Sequence, residues 1–326
     1  MATVQKIAII GATGTIGKVI VEELLKTGKH ELTAITRTDS EAVIPASLKV
    51  SKVNYDDPST LVAALRGQEV LIITLAAMAP RDTSLKLVEA AAEAGVPYIV
   101  PNGWGLDPTH PSSDETFLGP GHRAVVKRIE ELGKSSWIQF VSGFWYEFSL
   151  AGTTDRYGFD FQNRSVVFFD DGTARINTST WDQTGRAVAK VFSLPEKANS
   201  EKDGALTLAS FKNKFVYFSS FCVSQKDMFE SVLRVTGTKD SDWKISYEKS
   251  TERYQNALDL MKQGNRKGFM RAMYVRTFYP EGSGNGSGAY EPLYGLYNDA
   301  LGLPKEDLDE RTRIAVEKGS GITGSY

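Results

Sequence analysis

The sequence predicts an α/β protein: a doubly wound parallel sheet, followed by a smaller, interleaved α+β region toward the C-terminus. Three observations carry this. Short apolar runs alternate with helical-period segments through the first half of the chain. The first of those runs, Lys6-Ile7-Ala8-Ile9-Ile10, is apolar without interruption, as a strand buried on both faces must be. Between it and the first helical segment lies a set of closely spaced glycines, Gly11, Gly14 and Gly17. Strands and helices at this tempo imply parallel pairing, because each crossover needs a helix to bring the chain back.

The elements follow in order. After the first strand, Ile16, Val19, Ile20, Leu24 and Leu25 recur at helical spacing up to Gly28. Leu32-Thr33-Ala34-Ile35 reads as the second strand and residues 48–53 as the third. Ser59 is placed to cap a helix carrying Leu61, Val62 and Leu65, ending at Gly67. Residues 70–75 form the fourth strand, Ser84 opens an alanine-rich helix that stops at Gly95, and Tyr98-Ile99-Val100 is the fifth strand. A loop rich in Pro, Asp and Ser spans 106–121. A helix over 122–132 and a sixth strand over 137–141 follow. Beyond about residue 150, strand-like pieces (165–169, 214–223) mix with helices (182–193, 225–236, 251–264). The expected organisation is a nucleotide-binding domain over 1–150 and a mainly substrate-binding domain over 151–326, with segments returning to the first sheet.

The glycine spacing has a specific physical meaning. Gly11 allows a tight turn off the strand, Gly14 allows backbone to approach a pyrophosphate, and Gly17 allows the helix to pack closely on the sheet. The helix start, including Thr13, Thr15 and Ile16, then presents unpaired N–H groups to the phosphates. With the strand before it and the helix after it, the motif predicts a Rossmann-type dinucleotide site. A second glycine-rich stretch, residues 281–288, follows no buried strand and reads as a plain loop. At the end of the second strand, where an NAD site usually has an acidic residue, stands Arg37, suited to pair with a 2′-phosphate. The expected cofactor is therefore NADPH/NADP+, with Asp39 lying beyond the strand end. Ligands of such sheets bind beyond the carboxyl ends of the strands. Thr74, Leu75, Ala76 and Ala77, with Asn102 and Trp104, are expected there.

Composition narrows the function classes. The 326 residues are 41% hydrophobic and 24% charged, ordinary for a globular chain. Net charge is −2, which offers no field to recruit nucleic acid or an anionic membrane. The single Cys222 excludes an internal disulfide, and His30, His110 and His122 show no metal-ligand spacing, so no metal is expected. Apolar runs of about six residues fall far short of a membrane span, and the expectation is a reduced, cytoplasmic protein.

The glycine loop, Thr36-Arg37, Pro101-Asn102-Gly103-Trp104-Gly105, Ile129-Glu130-Glu131-Leu132-Gly133 and residues 141–148 resemble the NmrA-like, isoflavone-reductase-like branch of the atypical short-chain dehydrogenases. Residues 177–181 and 302–308 extend the likeness, over nearly the whole chain, to fungal isoflavone-reductase-like proteins of the CipA type. The resemblance implies bound NADPH, a smaller C-terminal substrate domain and reduction of a conjugated or phenolic small molecule. It also implies adenine contacts at Asn54 and Tyr55. Two positions depart from it. The family's catalytic lysine registers on His122, and Gly103 stands where relatives tend to carry an acidic residue.

None of the thirteen tyrosines has a lysine four residues later, so the usual Tyr/Lys pair of short-chain dehydrogenases is absent, and Ser142 is not in a Gly-x-Ser-x-Gly elbow. His122, on the inward face of its helix with Val125 and Ile129, is the expected proton donor, assisted by Tyr146. Trp104, Phe144, Trp145 and Trp181 are expected around a flat aromatic substrate, with Phe159, Phe269 and Phe278 as further candidates. The functional expectation is an NADPH-dependent reductase of an aromatic or polyketide-like molecule in secondary metabolism. Two alternatives stay open: a dinucleotide-binding redox sensor, and a cyclase or isomerase that keeps the cofactor as scaffold.

Overall fold

The computed structural model describes residues 2–76, 79–80, 82–198 and 205–321. Ala77 therefore lies outside the described residues. The first half runs β1 (Lys6–Ile10), α1 (Thr15–Lys26), β2 (Glu31–Arg37), β3 (Lys49–Val53), α2 (Pro58–Leu65), β4 (Val70–Ile73), α3 (Thr83–Ala94), β5 (Tyr98–Val100), α4 (Gly119–Leu132) and β6 (Ser136–Val141). There follow β7 (Phe144–Trp145), α5 (Tyr146–Leu150), β8 (Phe159–Asp160), β9 (Ser165–Phe169), β10 (Ile176–Ser179), α6 (Trp181–Phe192), β11 (Lys214–Tyr217) and β12 (Phe221–Val223). The chain ends with α7 (Gln225–Thr236), β13 (Lys244–Glu248), α8 (Ser250–Lys262), α9 (Arg266–Thr277), α10 (Glu291–Tyr294) and α11 (Leu308–Gly319).

The main sheet has seven strands in the order β11-β6-β5-β4-β1-β2-β3, all parallel. Strand order reverses between β1 and β4, which is where such sheets open a crevice for ligands. The expected doubly wound sheet is thus the observed one. β1 and β4 are buried end to end apart from Lys6, as their unbroken apolar runs require. The two smaller sheets, β12-β10-β7 and β13-β9-β8, mix parallel and antiparallel pairs over a second apolar core that holds Tyr146, Tyr157, Phe159 and Tyr274.

Several local expectations are corrected. The cap of α2 is Asp57, whose carboxylate accepts from Ser59 N at 3.1 Å, because Pro58 takes the first helical position. α3 starts one residue before Ser84, and α4 starts at Gly119 rather than His122, with Pro120 in its first turn. The stretch 214–223 divides into two strands of different sheets, β11 completing the main sheet beside β6 and β12 pairing with β10. β10 escapes a hydropathy reading because Asn177, Thr178 and Ser179 are polar yet buried. Each side chain is satisfied inside: Thr178 Oγ1 donates to Phe144 O at 2.6 Å and Ser179 Oγ to Ser142 O at 2.6 Å. α9 and α11 escape the periodicity reading too: the apolar residues of α9 cluster in Ala272-Met273-Tyr274-Val275 rather than along one face, and α11 is mostly polar. α11 buries only Thr312 and Ala315. Residues 281–288 form turns bridged to Arg175 and do not line the main cleft.

Candidate functional site

At the carboxyl end of β1 the backbone itself forms the site. Gly11 has φ +76°, and a Cβ there would lie 2.2 Å from the carbonyl oxygen of Thr74 at the end of β4. A Cβ on Gly17 would lie 2.1 Å from the carbonyl oxygen of Gly11. Thr74 Oγ1 donates to Ile10 O at 2.6 Å and ties the two strand ends together. Gly14, the N-cap residue of α1, supplies no side-chain cap, so the first N–H groups of α1 remain available to an anion. Thr13, Gly14 and Thr15 are exposed, whereas Ile16 and Gly17 are buried beneath them.

This loop opens on a cleft of about 810 Å³. Its walls include Gly11 and Thr13, Arg37 at the tip of β2, Asn54 and Tyr55 after β3, and Thr74, Leu75 and Ala76 after β4. Arg37 and Asp39 both reach it as an exposed pair, Nε to Oδ1 3.5 Å, which is weak enough to yield to a ligand. Asn54 Oδ1 accepts from Asp56 N at 3.0 Å, and Tyr55 is half-buried beside Arg37, its phenol pKa raised by burial. Asn102 differs from the expectation of a direct contact. Its amide clamps the Leu75 backbone (Oδ1 from Leu75 N 3.1 Å, Nδ2 to Leu75 O 3.3 Å), tying β5 to β4 behind the cleft wall.

The catalytic candidates separate. His122 lies in the first turn of α4, where burial pushes its pKa down to about 4, helped by Arg123 and opposed by Asp107. Its imidazole is therefore neutral at physiological pH. Tyr146 is corrected: it is a core side chain with no exposure. Its hydroxyl is 2.6 Å from Thr312 Oγ1, and its ring packs edge-on to Phe221 at 5.1 Å. Burial holds its phenol far above the usual range. A Tyr146→Phe variant is expected to lose about 1 kcal/mol of stability in chemical denaturation and to keep its turnover rate. A rate loss without a stability loss would restore the catalytic role.

Around His122 stand groups that sequence reasoning passed over. Asp107 is buried, its carboxylate accepting from Thr109 N at 2.7 Å and from the Tyr217 hydroxyl at 2.9 Å. Gln139, on β6, is buried too. Arg123 fastens the 106–118 loop over α4 by donating to Pro108 O at 2.8 Å and Ser113 Oγ at 2.9 Å. No local pattern marks Asp107 and Tyr217 as partners, since 110 residues separate them; only the arrival of β11 beside β6 joins them.

Of the aromatic residues, Trp145 and Trp181 come together at 6.0 Å, with Phe148 6.0 Å from both. Trp104 donates from its indole to Ile73 O at 2.8 Å and stacks on Phe140. All three tryptophans are partly buried. Phe144 is corrected to a core role, stacked on Tyr274 at 4.0 Å, and Phe159 and Phe278 are buried in the same core. Phe269 instead meets the exposed Phe117 at 6.0 Å.

A charged cluster lies next to the tryptophans. Arg311 of α11 reaches Glu147 Oε1 at 3.4 Å, Asp182 at 2.9 Å and Glu306 at 2.9 Å. Glu147 is buried, and burial raises its carboxyl to about 7 despite Arg311. A carboxyl raised in the folded state costs stability as pH climbs from its unfolded value, near 4.5, through about 7. Glu147→Gln is therefore expected to be more stable than wild type at pH 8, by roughly 3 kcal/mol. That advantage should vanish near pH 4.5, as urea denaturation at the two pH values would report.

Among the described residues, no group of three or more His, Cys, Asp or Glu is placed to hold a metal, and no helix is long and apolar enough to cross a membrane. The model of the NmrA-like family matches residues 3–203, from β1 through α6. The chain belongs to the NmrA-like family. Its NmrA-like core extends to full-length likeness with oxidoreductase aprR of Aspergillus flavus, 25% identical over 94% of this chain and 96% of that protein. Pinoresinol reductase 1 of Arabidopsis thaliana is 23% identical over 60% of this chain and 66% of that protein. The crystal structure of pinoresinol-lariciresinol and phenylcoumaran benzylic ether reductases superposes with a TM-score of 0.71 at 20% identity, covering 95% and 98% of the two chains. The NADPH complex of a quinone oxidoreductase from Escherichia coli superposes with a TM-score of 0.65 at 20% identity, covering 94% and 98%. This NmrA-like protein therefore shares their fold.

Proposed function

We propose that this protein is an NADPH-dependent reductase that acts on a carbonyl or activated double bond of a flat aromatic or polyketide-like small molecule, in secondary metabolism. The observation that carries the reading is the glycine cradle at the β1–β4 crevice. It leaves no room for a side chain at 11 or 17, and it opens on a cleft tipped by Arg37. Those residues fit a dinucleotide: the free N–H groups of α1 suit its pyrophosphate, Arg37 a 2′-phosphate, and Asn54 and Tyr55 the adenine end. The oxidoreductase aprR and the pinoresinol reductase 1 among its relatives agree with the class.

A bound nicotinamide supplies hydride. The chain's own part is orientation and a hydrogen bond. Trp104, Trp145 and Trp181 offer apolar walls to a planar substrate. His122, neutral down to about pH 4, donates a hydrogen bond to the oxygen that becomes negative as hydride arrives, and the proton that completes the reduction comes from solvent water.

Intrinsic fluorescence titration with NADPH and with NADH, followed by transfer from 4-deuterated NADPH to 1,4-naphthoquinone and to aromatic enones, tests the reading. NADPH is expected to bind much more tightly and to label a product. His122→Ala should slow transfer about 100-fold, and a wild-type rate would remove His122 from the chemistry. One observation favours a second reading, a dinucleotide-binding regulatory module: His122 and Gly103 stand where the resemblance expects a lysine and an acidic residue. Tight NADPH binding with no deuterium in any acceptor would favour that module.

A further inference from the structure

Gly103 is not required by its own backbone. It is absent from the glycines with left-handed φ, so any residue could adopt its conformation. What forbids a side chain is His122. A Cβ at 103 would lie 2.6 Å from His122 Nδ1, 2.7 Å from its Cε1 and 3.0 Å from Gln139 Nε2. One edge of the imidazole therefore fills the volume that a side chain at 103 would take. Gln139 holds the same peptide from below, its Nε2 donating to the carbonyl of Gly103 and, at 3.0 Å, to that of Phe140. His122 Nε2 and Gln139 Oε1 are sealed from solvent with no hydrogen-bond partner.

We propose that Gly103 and Gln139 are positioning residues for His122: the missing side chain at 103 seats the imidazole, and Gln139 fixes the backbone against which it rests. The glycine at 103 and the histidine at 122 are thus one matched pair. The inference rests on His122 donating a hydrogen bond to the substrate oxygen in the reading above, but the seat itself is testable without activity. It also sets the tautomer. A buried N–H without an acceptor is rarer than a buried lone pair without a donor, so the proton belongs on Nδ1, the edge facing Gly103. The charged groups facing the ring are Asp107, held by Thr109 and Tyr217, and Arg123, held by Pro108, Ser113 and Asp114. They act in opposite directions on the imidazole and leave burial dominant.

With three histidines in the chain, ring-15N histidine labelling gives at most three spin systems, and His122→Asn identifies the relevant one. In wild type, His122 is expected as the Nδ1–H tautomer with no titration between about pH 5.5 and 8. Gly103→Ala should expel the ring, restoring tautomer exchange and a titration near the ordinary histidine value. Deuteride transfer to 1,4-naphthoquinone should fall about as far in Gly103→Ala as in His122→Ala, and no further in the double variant, in which the clash is gone. An Nε2–H tautomer or a midpoint near 6.5 in wild type would overturn the proposal. So would unchanged His122 signals in Gly103→Ala, or additive losses in the double variant. If Gly103→Ala does not fold, the wild-type tautomer and titration decide. If His122→Ala keeps the wild-type rate, the catalytic reading fails while the spectra still report the seat.

Discussion

Gly17→Val is expected to abolish NADPH binding while the protein remains folded. The backbone at Gly17 is helical and ordinary, so the substitution introduces no conformational strain, only volume. That volume has nowhere to go. The Cβ alone would lie 2.1 Å from the carbonyl oxygen of Gly11 and 2.9 Å from Thr74 Oγ1, and both belong to the packed ends of β1 and β4. α1 must move outward, and overpacking of this kind costs about 1–3 kcal/mol. The main sheet, with β1 and β4 buried at its centre, is large enough to absorb that. The proposed pyrophosphate site is not, because it would consist of the α1 N–H groups and the loop that α1 leaves behind. The expected result is a modest fall in melting temperature, retained circular dichroism and an affinity for NADPH weakened at least 100-fold, equivalent to about 2.7 kcal/mol. Wild-type affinity in a folded Gly17→Val variant would mean that the dinucleotide does not use this loop.

Arg37→Ala is expected to weaken NADPH binding by about 10- to 100-fold and to leave NADH binding unchanged. Arg37 ends β2 at the rim of the cleft, largely exposed, and its ionic partner among the described residues is the still more exposed Asp39. A 2′-phosphate offers a doubly charged alternative to that weak pair, with geometry suited to a bidentate guanidinium. Because the site is open to water, raising salt should shrink the NADPH preference of wild type and barely affect the variant. A preference for NADPH that survives in Arg37→Ala would assign 2′-phosphate recognition to another residue. Lys86, which also reaches the cleft and is engaged with Asp56 and Asp82, would then be the next to test.

The two positions differ in how they could be read from the chain. Gly17 is legible because the glycine loop is local: strand, turn and helix start lie within a dozen residues, and each glycine answers to a neighbour a few positions away or to the adjoining strand end. The alternation of apolar strands with amphipathic helices is equally local, which is why the order of elements through β6 and the parallel main sheet follow from the sequence. Arg37 is legible for the same reason, since the end of β2 is a fixed distance along the chain from the loop.

The reaction side of the cleft is built otherwise. Tyr146, three residues beyond the sheet-end loop at Gly143, looks like a site residue in the sequence. The way α11 folds back over α5 makes it core, bonded to Thr312. Phe144 is withdrawn by Tyr274, a residue 130 positions later. Asp107 and Tyr217 become a pair only because β11 returns to the main sheet. The sequence by itself determined the fold class, the glycine loop after β1 and the charged end of β2, since these depend on periodicity and on contacts within one βαβ unit. Only the tertiary structure decided which aromatics are core and which stay partly exposed, and that the ring of His122 occupies the space left by Gly103. Burial and close packing between distant segments are properties of the assembled chain, and no spacing along it encodes which side chain will be covered.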